Sequence, residues 1–384
     1  MSEWKEYKIG DLCEKILSGG TPLTSNKEYY ENGNIPWLKT TEVHKEIIRY
    51  TDTFITELGL KNSSAKLIPA NSLIIAMYGD GGTAGKVALT KIPLSTNQAC
   101  CNLVIKKDKA AYAFIYYYLK INYDNLVNLK TGGSQQNLNT LTIKNFKINL
   151  PPLQTQQKIA NILGTYDELI EVNNERIRIL EETAQSLYKE WFVRFRFPNY
   201  QNTEFIKGVP KGWEVVKFRD FIKLNRGFDL PNDKIIEGEF PVIASTSIKA
   251  FHNEYKSSGE GVITGRSGSL GIVQYINGKY WTLNTALYVK DFKENLPKYV
   301  YYFLKEMHLE NFDSGAGVPT LNQNHLHGLS FPLPPTILQN KFDKIISPIF
   351  DQIETLQQQN TELRQIRDRL LPRLISGKMK VSEP

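Results

Sequence analysis

Residues 159–191 read IANILGTYDELIEVNNERIRILEETAQSLYKEW, and residues 342–374 read FDKIISPIFDQIETLQQQNTELRQIRDRLLPRL. In the first, Ile159, Leu163, Tyr166, Ile170, Asn173, Ile177, Leu180, Ala184, Leu187 and Trp191 follow one another at alternating steps of four and three. In the second, Phe342, Ile346, Ile349, Ile353, Leu356, Asn360, Leu363, Arg367, Leu370 and Leu374 do the same. That period is a heptad seam. One face of a core helix gives a similar stripe, but about 32 unbroken residues favour a coiled coil, each helix running about 48 Å. Gly164 and Ser347-Pro348 fall at the same place in the two stretches and predict a break near the start of each, with a short helix before the long one.

The two helices are each other's expected partners. Antiparallel pairing has a specific merit. With Asn173 opposite Asn360, Ile177 meets Leu356, Ile170 meets Leu363 and Leu180 meets Ile353. The two polar seam residues then satisfy each other in one layer, where an unpaired buried amide would cost about 1–3 kcal/mol. A matched polar layer also fixes register.

Outward from the seams, the chain contains itself twice. Trp4 opens WKEYKIGDL and Trp213 opens WEVVKFRDF, so Lys8 and Asp11 match Lys217 and Asp220 at an offset of 209. Gly79, Gly82, Gly85 and Val87 match Gly265, Gly268, Gly271 and Val273 at 186. Asn97-Gln98-Ala99 matches Asn284-Thr285-Ala286. Gly132 with Leu138-Asn139 matches Gly315 with Leu321-Asn322, and INLPP at 148–152 matches FPLPP at 331–335, both at 183. Matches in the same order define one module used twice. Its first part has short runs of Val, Ile, Thr and Tyr punctuated by Gly, Asn and Pro, which predict strands and turns. A helical patch at 111–121 recurs near 299–307. The expected class is α+β: two similar mixed α/β domains joined by two long helices in an antiparallel coiled coil, with pseudo-two-fold symmetry. The expected boundaries are 1–150 for the first domain, 151–197 for the central helical region, 198–333 for the second domain and 334–384 for the distal helical region.

The 384 residues are 41% hydrophobic, 11% aromatic and 23% charged, which excludes a disordered or collagen-like chain. No apolar run reaches the roughly 18 residues of a membrane span, and the start lacks a signal-peptide core. Three cysteines, Cys13, Cys100 and Cys101, argue against a disulfide scaffold and for a reducing, cytoplasmic setting. Net charge is +7, compatible with a polyanion partner. A pseudo-two-fold pair of modules suits two half-sites on opposite strands of duplex DNA, with the helices measuring the unread gap.

These residues resemble the specificity subunits of type I restriction-modification systems (HsdS) over essentially the whole chain. The carriers are WKEYKIGDL at the start, GGSQQNLN at 132–139, PPLQTQQKIANIL at 151–163, SLYKEWFV at 186–193, PKGWE at 210–214 and LLPRLISGK at 370–378. The family often has an acidic residue before the helix glutamine of the second repeat. Here Leu338-Gln339 stands there, and Thr155-Gln156 in the first copy. The resemblance implies that each globule is a target recognition domain reading one half of a split, asymmetric DNA target. It implies that the helices hold two methyltransferase subunits, which motor-nuclease restriction subunits join. It implies no cofactor in this chain, with S-adenosylmethionine, ATP and Mg on partner subunits, and no catalysis of its own. The alternative is a fused or fragmentary DNA methyltransferase or restriction enzyme with its own activity.

The residues carry little chemistry. The stretch from Gly79 to Val87 fails the phosphate-loop pattern at Asp80 and Val87, and reads as a turn between strands. His325 and His327 lack a third metal ligand nearby, so no metal site is expected. Base edges are read by Arg, Lys, Asn and Gln, with Ser and Thr hydroxyls adding hydrogen bonds. DNA-binding candidates in the first copy are Thr24, Asn26, Lys27, Lys39, Thr40, Thr41, Lys86, Gln135, Gln136 and Asn137. In the second they are Arg226, Asn232, Lys234, Ser245, Thr246, Ser247, Lys249, Arg266, Gln323 and Asn324. Asn139 and Asn322 are shared between copies and so are expected to be structural, because shared residues do not distinguish two half-sites.

Overall fold

A computed structural model of the chain describes residues 4–79, 82–130, 137–315 and 317–381. It divides into two compact units, Met1–Asn173 with Gln358–Pro384, and Asn174–Gln357.

In unit 1, Lys5–Lys8 pairs antiparallel with Lys147–Leu150, so the end of the globule closes on its start. The main sheet has the order Cys13–Ser18, Cys100–Ile105, Leu73–Ala76, Val87–Thr90, Ile47–Ile48. A smaller sheet places Ile35–Leu38 between Phe54–Ile55 and Ser95–Thr96, the last pair parallel. Helix Tyr112–Ile121 buries Phe114, Ile115, Tyr116, Tyr117 and Leu119 against the main sheet. Unit 2 repeats the plan. Glu214–Lys217 pairs with Ser330–Leu333. Its main sheet runs Lys223–Arg226, Ala286–Asp291, Gly261–Gly265, Val273–Ile276, and its parallel pair is Phe240–Ile243 with Lys279–Thr282. The duplication read from short motifs is thus a duplication of topology. The glycine-rich stretch of the second copy is the turn between paired antiparallel strands, and Gly82 and Gly85 of the first lie between the paired strands Leu73–Ala76 and Val87–Thr90.

The long helices run Leu153–Tyr188 and Thr336–Ile375. Every seam position of both heptad stripes is buried or half-buried. Within unit 1 the segments are antiparallel. Ile159 and Leu163 share a core with Leu371 and Leu374, Asp167 pairs with Arg367, and the Asn173 Nδ2 donates to Asn360 Oδ1 at 3.0 Å. Ile170 and Leu363 are buried and half-buried seam residues of unit 1, and Ile177, Leu180, Ile353 and Leu356 line the seam in unit 2. There Ala184, Tyr188, Trp191 and Phe192 enclose Phe342 and Ile346. We expect N173L and N360L each to destabilise unit 1 by about 1–3 kcal/mol, because each breaks the Asn173–Asn360 bond and sets a leucine against an amide, and the double leucine variant to recover most of it with an apolar layer in that place. A denaturant cycle showing no coupling sinks the polar layer.

The expected breaks are absent: neither helix is interrupted. Gly164 keeps an ordinary helical φ beside Tyr117, whose hydroxyl lies 3.9 Å from where a Cβ would stand. Pro348 is exposed, so the carbonyl one turn back that loses its amide donor faces water, while Phe342, Ile346 and Ile349 on the inner face hold the helix in the core. The Ser347 hydroxyl donates to Asp343 Oδ2 at 3.0 Å across that turn.

Each helix is tied to its globule by the same residue. The buried Gln156 accepts from the Ala111 amide at 3.0 Å and donates to Pro151 O at 2.8 Å. Gln339 accepts from the Leu296 amide at 3.0 Å and donates to Asn295 Oδ1 at 2.9 Å and Pro334 O at 3.3 Å. In both copies a side-chain amide supplies the acceptor that the first turn of the globule's helix lacks.

Candidate functional site

In each unit several loops meet at one end of the sheets, stitched by backbone hydrogen bonds. In unit 1, Gly19 N donates to Cys100 O, Gly20 N to Thr96 O, Asn97 N to Leu38 O, Met77 N to Ala99 O and Leu138 N to Met77 O, all at 2.8–3.1 Å. In unit 2, Gly227 N donates to Ala286 O, Phe228 N to Thr282 O, Leu283 N to Ile243 O, Arg266 N to Thr285 O and Leu321 N to Arg266 O, at 2.8–3.0 Å. Only glycine fits where these loops touch. A Cβ on Gly19 would lie 2.1 Å from Asn97 O, and one on Gly227 2.2 Å from Leu283 O.

Thr40 and Ser245, proposed from the sequence as base readers, are corrected by their burial, each only 7% exposed. Each stands two residues after a strand that makes its unit's parallel pair, Ile35–Leu38 or Phe240–Ile243. The Thr40 hydroxyl donates to Asn97 Oδ1 at 2.8 Å, and the Ser245 Oγ lies 2.8 Å from Thr285 O and 3.0 Å from Ser267 O. These hydroxyls fasten the loop cluster and face away from solvent. Asn139 and Asn322 are helix caps, accepting from Thr142 N at 2.8 Å and Asn324 N at 3.0 Å, which is the structural role expected of shared residues.

Four candidates from distant stretches meet in unit 2. Arg226, Arg266, Gln323 and Asn324 line one concavity of about 340 Å³, together with Ser314, Thr320 and Asn322. Asp313 shapes its rim, its carboxylate accepting from Gly315 N at 2.9 Å and Thr320 N at 2.8 Å. Those two amides hold the Asp313 carboxyl below its ordinary pKa. Thr246 and Ser247 are exposed on the turn that follows Phe240–Ile243. In unit 1, Lys39 and Thr41 are exposed on either side of Thr40, the Lys39 ammonium lying 5.9 Å from the centre of the Trp37 ring. Asn137 is half-buried beside Leu138.

Other candidates are not brought into these clusters. Thr24 is exposed, Asn26 caps the turn Lys27–Tyr29, and Lys27 faces Glu31 at 4.0 Å. Asn232 accepts from Lys249 Nζ at 2.6 Å, and Lys234 is exposed on the turn Asn232–Lys234. Lys86 lines another hollow of about 200 Å³ with His44, Glu46, Lys120 and Tyr123. Gln135 and Gln136 lie outside the described residues. The sequence reading missed Ser18 and Thr140, whose hydroxyls pair at 3.2 Å in unit 1. The available signal was Ser18-Gly19 standing where the second copy has Arg226-Gly227.

Burial pushes the thiols of Cys13, Cys100 and Cys101 up to about 12, so they stay protonated near neutral pH and are poor nucleophiles or ligands. Among the described residues no group of three or more His, Cys, Asp or Glu is placed to hold a metal ion, and no helix is long and apolar enough to cross a membrane.

Comparison with known proteins gives a consistent result. The model of the type I restriction modification DNA specificity domain matches residues 1–182 and 210–365. The MjaIX type I restriction enzyme specificity subunit of Methanocaldococcus jannaschii is 30% identical, over 99% of this chain and 94% of its own. The EcoprrI specificity subunit of Escherichia coli is 23% identical over 92% and 88%. The crystal structure of a type I restriction-modification S subunit from M. genitalium superposes with a TM-score of 0.62 at 18% identity, covering 97% of this chain and 96% of that one, which establishes a shared fold.

Proposed function

The chain belongs to the type I restriction-modification DNA specificity family, and from that premise we propose that each unit reads one half of a bipartite, asymmetric DNA target through its loop cluster. What supports the reading is a single observation: one module occurs twice, its loops meeting at corresponding ends of the sheets, with like backbone bonds and a buried hydroxyl inside and different polar residues outside. The common inner bonds build the platform; the differing outer residues face a ligand that differs between the two copies.

The same reading makes the chain a non-catalytic recognition and assembly subunit. Two methyltransferase subunits and the restriction subunits join it, and S-adenosylmethionine, ATP and Mg belong to them. The paired helices set the number of unread base pairs between the half-sites, so a heptad inserted into both is expected to lengthen that gap and leave the read bases unchanged.

Two measurements test the core of this. Sequencing methylated adenines in cells with and without the chain is expected to show one split motif that disappears with it. DNA affinity of the assembled complex is expected to fall by about 10³–10⁵ between 50 and 200 mM salt if six to ten phosphates are contacted. Methylation that is unchanged when the chain is deleted, or binding indifferent to salt, overturns the proposal.

A further inference from the structure

We propose that the corner where strand Lys223–Arg226 meets the short helix Gln323–Leu326 reads a G·C base pair in the half-site of unit 2, with Arg226 on the guanine and Gln323 on the paired cytosine. The proposal rests on the DNA-reading function above and deepens it.

Arg226 is the last residue of its strand and is exposed. Its Nε donates to Asn284 O at 3.3 Å, and among the described residues its two terminal amino groups have no hydrogen-bond or ion-pair partner. The head group is therefore held at its root and free at its fork. Gln323 lines the same concavity, and its Oε1 is enclosed without a hydrogen-bond partner among the described residues, so the amide gives up no hydrogen bond of that oxygen when it turns to present it to the concavity, as reading a base requires. An enclosed carbonyl oxygen requires a donor. The corner therefore offers a fork of donors beside an acceptor that lacks its donor.

That set discriminates among ligands. Phosphate presents acceptors only and leaves Gln323 unsatisfied. Adenine offers one acceptor beside an amino donor, a poor match for a guanidinium that has no acceptor. The major-groove edge of a G·C pair presents O6 and N7 as two acceptors and the cytosine amino group as a donor, which matches Arg226 and Gln323 together.

Unit 1 supplies the contrast. Ser18, the last residue of the equivalent strand, precedes Gly19 as Arg226 precedes Gly227, and Thr140 stands one residue after the capping Asn139 as Gln323 stands after Asn322. Ser18 and Thr140 hydrogen-bond each other at 3.2 Å. At the same corner of the same module, one copy satisfies itself and the other has donors and an acceptor left over. A position that is equivalent in fold and different in chemistry is where two half-sites are told apart.

The test is binding of the assembled complex, carrying wild-type chain or the R226S or R226K variant, to a panel of target duplexes with each base pair replaced in turn. We expect R226S to weaken binding to the intact target by roughly 5- to 150-fold and to lose discrimination at one G·C pair, with the other positions read as before. R226K is expected to lose most of that discrimination as well, because an ammonium lacks the two-pronged fork. Unchanged hydrogen exchange across unit 2 shows that the fold is intact, as Arg226 is exposed. No effect of R226S overturns the proposal. So does a uniform loss over all sequences with a salt slope lower by about 1, which marks a phosphate contact. A wild-type complex with no sequence preference at all refutes the DNA-reading function itself, a result distinct from either.

Discussion

Arg367→Met is expected to destabilise unit 1 by about 3 kcal/mol, the lower end of the cost of stranding a buried charge, because Asp167 is half-buried. Arg367 occupies a seam position in a stripe otherwise built of apolar residues and Asn360. Its side chain is 11% exposed, and that of Asp167, its partner across the helix pair, 16%. The Tyr117 hydroxyl donates to the other Asp167 oxygen at 2.6 Å, so helix 112–121 of the globule shares the same carboxylate. Burial, reinforced by that carboxylate, pushes the Tyr117 hydroxyl well above its usual pKa, so it remains a donor at any physiological pH. With the arginine gone, Tyr117 alone faces the charge, and water must enter the seam to solvate the carboxylate. Arg367 also contacts Asp368, but that carboxylate is largely solvent-exposed and contributes little. The companion variant, with Asp167 and Arg367 both replaced by leucine, is expected to return to within about 2 kcal/mol of wild type, since an apolar pair has no charge to strand. Because the chain has two units, a single global midpoint is a poor readout. Hydrogen exchange is better: R367M is expected to lose protection in residues 159–173 and 358–375 while unit 2 keeps its own. A loss below about 1 kcal/mol in R367M, or a double variant worse than the single one, refutes the charge-stranding account.

The seam shows what the linear sequence holds and what it does not. Period alone placed every heptad residue on the inner face, because an apolar stripe at that spacing has nowhere else to go. The Asn173–Asn360 pair followed from requiring that two buried amides satisfy each other. Helix continuity through Gly164 and Pro348 did not follow. Intrinsic propensity disfavours both residues, and core contacts of their neighbours outweigh it. The loop clusters were legible only in part. Arg226, Arg266, Gln323 and Asn324 were named from residue type, yet their convergence depends on strand pairing between segments up to about 100 residues apart. Thr40 and Ser245 were named for the same reason and face inward, because a hydroxyl's direction is set by its neighbours and not by its identity. Ser18 and Thr140 escaped notice because small hydroxyl residues at a strand end have no pattern of their own.

Exchanging residues 1–150 for the corresponding segment of another specificity subunit is expected to replace one half of the methylated sequence and leave the other half untouched. The physical argument is that the segment closes on itself. Its first strand pairs with its last, Lys5–Lys8 with Lys147–Leu150, so the segment begins and ends side by side in one two-stranded sheet and is joined to the rest by a single cut. The apolar core crosses the junction, with Ile159, Leu163 and Leu374 of the helices in one cluster with Phe114 and Leu119 of the globule, so the donor segment must match those shapes; the polar contacts that cross it differ in worth. Arg49 with Glu171 is a surface ion pair, both side chains 40–46% exposed, and its loss costs about 0–1 kcal/mol. The Ala111 amide bound by Gln156 survives any donor residue except proline, since only the main chain is used. The Tyr117 hydroxyl on Asp167 is specific, so the donor segment must carry tyrosine there. Trp4 lies against Gly377, where a Cβ would come within about 3.0 Å of the indole, so the aromatic at that position must travel with the segment too. With these kept, unit 1 folds and presents foreign loops. Each mismatched base pair costs about 1–3 kcal/mol, so three altered positions cost about 3–9 kcal/mol, enough to remove methylation from the original target. Sequencing of methylated adenines in cells expressing the hybrid reads the result directly. A hybrid that changes both halves of the motif shows that the units do not read separately, and one that folds and changes neither shows that the loop clusters are not the readers.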